Sequence, residues 1–305
     1  MSTDQLMNDC HCHFFSPAFF QVLAQEKGLP AAQDPVAEMT KRLGWETPGS
    51  SQELAKRWVQ ELDQSKTDRA ALMASVPGDE ESVAVAIAQH PDRFVGFFMV
   101  DPSREGTEER IRWAVNELGL RCICLFPAMH QFHLYEKKAI KVFETAASLK
   151  EAVVFVHCGL LSVGVRTKLG LPSRFAMRFS NPLDLHSVAL SYPEVPMIIP
   201  HFGAGLFREA LMVADLCPNI YLDTSSSNSW IKFQHSLTLE DVFGQALQVV
   251  GADRLLFGTD SSFFPRGWQR SVWETQVAVL ERIGVDELTK EKFFSGNFNR
   301  LFPQK

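Results

Sequence analysis

Eight short apolar runs, separated by amphipathic stretches, restrict the fold of this chain more than any other feature. They are "LMNDCHC" (6–12), "RAALMASVP" (69–77), "FVGFFMV" (94–100), "LRCICLF" (120–126), "AVVFVHC" (152–158), "VPMIIPH" (195–201), "IYLDTSS" (220–226) and "RLLFGTD" (254–260). Runs this short and this continuously apolar suit strands covered on both faces, the condition of a parallel sheet wrapped in helices. The stretches between them are helical in period. In "TEERIRWAVNELG", Ile111, Val115 and Leu118 share one face and Gly119 is placed to cap the C-terminus. Similar patterns occupy 136–149, 206–216, 239–250 and 271–283. Eight strands alternating with helices, in a chain of 305 residues, have the size and order of an α/β fold of the (β/α)8 TIM-barrel type.

Two connections exceed what a minimal barrel needs. One is a helical insertion after strand one, 14–68; the other is a long loop after strand five, 159–181, which carries Arg166, Arg174 and Arg178. Both leave strand C-termini, the face on which barrel active sites are built. No low-complexity linker or internal repeat divides the chain, so 1–305 reads as one domain. Thirty Lys and Arg against 36 Asp and Glu leave a net charge of −6. That balance gives no electrostatic footprint for nucleic acid or anionic lipid and points to a small-molecule partner, with a homo-oligomer left open. The opening "MSTDQLMN" lacks a basic region followed by an apolar run, so a cytoplasmic protein is expected. "AVVFVHCGLLSVGV" is broken by His157, Cys158 and two glycines and is too short to cross a bilayer, which requires about 20 residues. The six cysteines are sparse, lie mostly in apolar runs and read as buried thiols.

Polar residues gather at the ends of the runs. Run one ends in His11 and His13, run five in His157, run six in His201 and run eight in Asp260. Strand side chains alternate with period two, so Asp9, His11 and His13 are expected on the face toward the barrel axis. Cys10 and Cys12 then face the surrounding helices as small apolar fillers. Singly, His157 reads equally as a core histidine, His201 as a loop residue and Asp260 as a turn former. Together at four strand ends, neutral imidazoles and a carboxylate suit zinc or a similar divalent ion with one position open.

With these residues in place the chain resembles the amidohydrolase superfamily. Within it, the resemblance is to the amidohydrolase-related group that includes aminocarboxymuconate semialdehyde decarboxylase. "DCHCH" resembles that group's Asp-X-His-X-His on strand one, "VFVHCG" its strand-five histidine, "IIPHFGAG" its strand-six histidine and "LLFGTDSSF" its strand-eight aspartate. "NIYLDTSS" and "FFSGNFNRLF" resemble its closing segments. The resemblance implies one divalent metal held by His11, His13, His157 and Asp260, with His201 beside it as a catalytic residue and Asp260 also moving a proton. Dinuclear relatives bridge their metals with a carboxylated lysine from strand four; "RCICLFPAMH" offers none at that strand's end.

Substrate contacts are expected from residues near the strand ends. His130 and His133, after strand four, either overlook the site or are plain surface residues. Arg178 is either a bidentate partner for a substrate carboxylate or a surface ion pair. Phe126, with Phe14, Phe263 and Phe264, is placed either to line a pocket for an aromatic substrate or to pack in the core; His90 and His186 are assigned no function. The leading function is metal-dependent hydrolysis of a small carboxylated lactone or amide-like compound. The alternative is non-oxidative decarboxylation of an aromatic or unsaturated acid. A metal-binding barrel without catalysis is a third reading, which the retention of all four implied ligands disfavours.

Overall fold

A computed structural model describes residues 6–29, 34–225, 228–262 and 266–304. Each apolar run supplies a strand: β1 (Asn8–Phe14), β2 (Arg69–Ala74), β3 (Phe94–Val100), β4 (Cys122–Leu125), β5 (Val153–Val156), β6 (Met197–Ile199) and β7 (Ile220–Asp223). The eighth run holds β8 (Leu255–Leu256), and β9 (Ser261–Ser262) follows directly after it. All pairings are parallel, in the order β8-β7-β6-β5-β4-β3-β2-β1-β9. Because β8 pairs with β7 while β9 pairs with Cys12 and His13 of β1, the eighth run and the two serines after it span the seam. The Cys10 amide donates to the Phe257 carbonyl at 2.9 Å across it. This is the expected (β/α)8 TIM barrel.

Strand residues are buried on both faces, and two cores result. Outside the sheet, Phe98, Leu125, Val156, Ile199 and Leu222 pack against the helices. Inside, Phe97, Met99, Cys124, Phe155, Ile198 and Leu256 fill the axis, and Phe298 and Phe302 of the C-terminal segment close its lower end. The insertion after β1 forms three helices, Pro17–Lys27, Pro35–Leu43 and Ser51–Ser65, each started by a side-chain cap from Ser16, Asp34 or Ser50. A third, satellite core joins the first two of these helices, through Phe19, Phe20, Leu23 and Met39, to Val165, Leu169 and Leu171 of the loop after β5. Glu26 pairs with Arg166 at 2.7 Å, and the Lys27 ammonium donates to the Leu169 carbonyl at 2.7 Å. The two long connections are therefore one roof over the strand C-termini. Among the described residues no helix is long and apolar enough to cross a membrane.

The first strand departs from strict alternation. Its register against β2 shifts between Asp9 and Cys12, so a bulge interrupts the period-two pattern. Cys12 packs outward against the helices as expected, but Cys10 lies in the inner core with Cys122 and Cys124. Asp9 also leaves the histidine face. It accepts from Thr259 Oγ1, from the amides of Thr259 and His11, and from Trp268 Nε1 at 2.9 Å.

Candidate metal centre

The C-terminal strand ends open into a cavity of about 790 Å³, with His11, His13, His157, His201 and Asp260 among its walls. His11, His201 and Asp260 each offer one ligand atom within 4.8 Å of the others. His13 adjoins them: its Nε2 is 3.1 Å from Asp260 Oδ1, against 3.7 Å for His11 Nε2. The His157 ring lies 5.3 Å from that of His201 and stacks on Phe126 at 5.4 Å. The structure thus brings all five residues to one place and puts His201, expected as a neighbour of the ion, in the tightest cluster.

Ring orientation is set from behind. His11 Nδ1 is 2.6 Å from Asp223 Oδ2, and Ser225 Oγ lies 3.0 Å from His11 Nδ1 and 2.8 Å from His201 Nδ1. His13 Nδ1 is 2.8 Å from Ser75 Oγ. With Nδ1 engaged on all three rings, Nε2 is the atom each has left for the cavity and for Asp260, and such outer partners fix tautomer and ring angle. Sequence reasoning did not single out Asp223, Ser225 or Ser75. The signal was present, since polar residues also stand at the C-terminal edges of the second and seventh strands, where Ser75 directly follows β2 and Asp223 ends β7.

Two backbone conformations place the remaining groups. His201 (φ 55°) and Asp260 (φ 57°) are non-glycine residues in the left-handed region, and His201 begins a left-handed stretch that runs through Phe202, Gly203 and Ala204 to Gly205. Each costs on the order of 1–3 kcal/mol, and such strain gathers at functional sites. The turn is held against the end of β5, where the Leu160 amide donates to the Ala204 carbonyl at 2.8 Å.

The charge states suit a cation. Burial pulls His13, His157 and His201 below the ordinary histidine value, His157 furthest, so all three favour the neutral, ligating form. For His11, burial opposes the charge, but the carboxylates of Asp223, Asp260 and Asp9 outweigh it and raise the value. Asp260 is pushed up by burial and more than pulled back by the His13 hydrogen bond and the adjacent imidazoles, ending below the usual carboxylate range. His157 Nδ1 is buried without a hydrogen-bond partner among the described residues. A buried ring nitrogen left unpaired costs about 1–3 kcal/mol, which a bound cation would relieve. The donor set therefore fits a divalent ion.

Other expected contacts fall on both sides of the cavity wall. Phe126 and His130 line it. Arg178 does not: it lies in a 3-10 turn, Met177–Phe179, exposed, with its guanidinium over the Phe179 ring at 4.7 Å. The arginines that do line the cavity are Arg104, Arg166, Arg174 and Arg266. His133 is turned to Asp184 at 2.8 Å, and Phe14 is wholly buried in the outer core, with Phe15 taking the cavity position instead. Phe263 and Phe264 lie outside the described residues.

A family model described as amidohydrolase matches residues 8–304. This chain belongs to the amidohydrolase family. It is 33% identical over 107 residues to the protein fluG of Emericella nidulans, a stretch covering 35% of the chain and 12% of that protein. The 5-carboxyvanillate decarboxylase of Novosphingobium aromaticivorans, solved with bound manganese and 3-methoxy-4-hydroxy-5-nitrobenzoic acid, superposes with a TM-score of 0.66 at 16% identity. The match covers 99% of this chain and 98% of that one. A probable 2-pyrone-4,6-dicarboxylic acid hydrolase from Acinetobacter baumannii, solved with citric acid, gives 0.61 at 16%, over 97% and 98%. At these identities the two structures are likenesses of fold, and they stand on opposite sides of the choice between decarboxylation and hydrolysis. The amidohydrolase described here shares their barrel; its own residues must carry the chemical reading.

Proposed function

We propose that this amidohydrolase is a metal-dependent hydrolase of a small, carboxylated lactone or amide-like compound. The observation that carries the reading is the convergence of His11, His201 and the carboxylate of Asp260, their ligand atoms within 4.8 Å of one another, in the wall of a large, partly apolar cavity. His11, His13, His157 and Asp260 would hold one divalent ion, zinc being the expected choice for this donor set. When bound, such an ion polarises a carbonyl and makes a coordinated water acidic enough to react near neutral pH. Among the described residues Asp260 is the only carboxylate beside that position in the cavity wall, so it accepts the attacking water's proton and passes it to the leaving group. His201, fixed through Nδ1 by Ser225, presents its other nitrogen to the carbonyl oxygen as negative charge develops there. Phe126, stacked on His157, walls the apolar side, and His130, also in the cavity wall, is a second donor.

The mouth favours an anion. Among the described residues Arg104, Arg166, Lys168, Arg174 and Arg266 line the cavity, against Glu26 as the only acid besides Asp260. Arg266 donates to the Asp260 carbonyl at 2.6 Å and so stands next to the proposed centre. It takes over the carboxylate-binding role first expected of Arg178.

The metal-loaded enzyme is to be tested in 18O-labelled water with 2-pyrone-4,6-dicarboxylate and 5-carboxyvanillate as probes, following carbon dioxide in parallel. Ring opening of the lactone with one solvent oxygen incorporated and no carbon dioxide is expected. Stoichiometric carbon dioxide without label from either probe would replace hydrolysis by decarboxylation at the same residues.

A further inference from the structure

The cavity is larger than the chemistry at its floor requires. Its volume of about 790 Å³ falls in the upper half of the range, roughly 300–1,000 Å³, that encloses a drug-sized ligand, while a lactone or amide group occupies only the space at the strand ends. The remainder lies under the roof. There Phe15, Phe19, Trp45, Val163 and Val165, from the insertion after β1 and the loop after β5, belong both to the satellite core and to the cavity wall.

Three of these side chains form an ordered row. The Phe15 ring stacks on Phe19 at 4.1 Å with 3° between the planes, and it lies 6.4 Å from Trp45 with 6° between them. The row begins at the candidate metal centre, since the His13 ring is 5.8 Å from Phe15. Near-parallel aromatic planes in a cavity wall offer a further flat ring an offset-stacked place, a contact worth more than its apolar area alone. The charges of the roof leave this stretch to such contact. Glu26 and Arg166 hold each other at 2.7 Å, and Lys168, exposed, stands over the Trp45 ring at 5.9 Å. Arg266, the proposed carboxylate contact, is at the metal end of the row, where it donates to the Asp260 carbonyl.

We propose that the roof is a binding site for an aryl group carried by the substrate, which lies with its carboxylate and scissile group at the strand ends and a flat aromatic arm against Phe15, Phe19 and Trp45. This rests on the reading of the cavity as the site of a carboxylated substrate, and it makes the two long connections the part of the chain that selects among such substrates.

Calorimetric titration of the full-length, zinc-loaded protein with acetate, phenylacetate, 4-phenylbutanoate and 4-cyclohexylbutanoate tests this. Affinity should rise by about tenfold or more from acetate to 4-phenylbutanoate as the ring reaches the row, and 4-cyclohexylbutanoate, equally apolar but without a π face, should bind about threefold more weakly than its phenyl counterpart. Val163→Trp, which fills the site from a half-buried position, and Trp45→Ala should each abolish the gain from the arm and leave acetate binding and metal content at the wild-type level. Equal affinity along the series, a cyclohexyl probe as tight as the phenyl one, or a loss shared equally by acetate would each overturn the proposal. The labelled-water experiment reads the reaction separately: carbon dioxide release there would replace hydrolysis and leave the arm site standing, whereas a flat series here would remove the arm site and leave hydrolysis standing.

Discussion

At the residue scale, a buried carboxyl away from the strand ends makes a prediction independent of any metal. Asp79 is 3% exposed and accepts from Ser16 Oγ at 2.5 Å. Burial raises its carboxyl from 3.8 to about 6, only partly countered by the hydrogen bonds from Ser16 and Ser82, with the Glu80 charge adding to the rise. Because the folded value is the higher one, the fold favours the protonated form; this contribution is complete below about pH 4 and is lost as the pH rises through about 6. Relative to Asp79→Asn, the wild type should therefore lose on the order of 2–3 kcal/mol between pH 4 and 7, measured by urea denaturation of both proteins across that range. A parallel pair of curves would show that Asp79 does not titrate in this window. Asp223 makes a second prediction. Since it orients His11 from behind, Asp223→Ala should weaken divalent metal binding by about 10–100-fold in a chelator competition, with the barrel still folded.

At the element scale, the barrel was legible in the sequence because each strand is a continuous apolar run, and every one of the eight runs contains a strand. The polar run ends were legible for the same reason: a histidine or aspartate closing a buried strand has only the barrel mouth to face. Three things were not. The β1 bulge sent Cys10 inward and Asp9 away, because a single inserted residue is decided by pairing with β2 and leaves no periodic trace. Arg178 missed the cavity because the long loop after β5 folds on its satellite core, which sequence spacing cannot place. Asp223 and Ser225 were overlooked because they hold ring nitrogens from behind, across strands. One close approach is now testable at this scale. Gly159 has φ +77°, and a Cβ there would sit 2.1 Å from the Gly203 carbonyl oxygen and 2.5 Å from that of Ala204. Backbone cannot yield as a side-chain tip can, so Gly159→Ala should cost more than about 2 kcal/mol and separate the His157 and His201 turns. Thermal unfolding together with metal content reads both; a variant equal to wild type in the two would mean that the turn tolerates displacement.

At the scale of the whole molecule, the barrel supplies rigid strand ends, the joined insertions roof them, and the rim supplies cations. Arg266→Met should raise KM for a carboxylated substrate by about tenfold or more with metal content unchanged, while Arg178→Met, outside the cavity, should leave KM alone. Equal effects from the two would remove the carboxylate contact from Arg266. All of this depends on the claim that the five residues at the strand ends are a centre for one divalent ion. The direct test is elemental analysis of the purified protein and of the His11→Ala/His13→Ala and Asp260→Ala variants, each confirmed as folded. The account predicts about one zinc or similar divalent ion per wild-type chain and a loss of most of it in both variants. Two ions per chain, or full metal content in the variants, would contradict it.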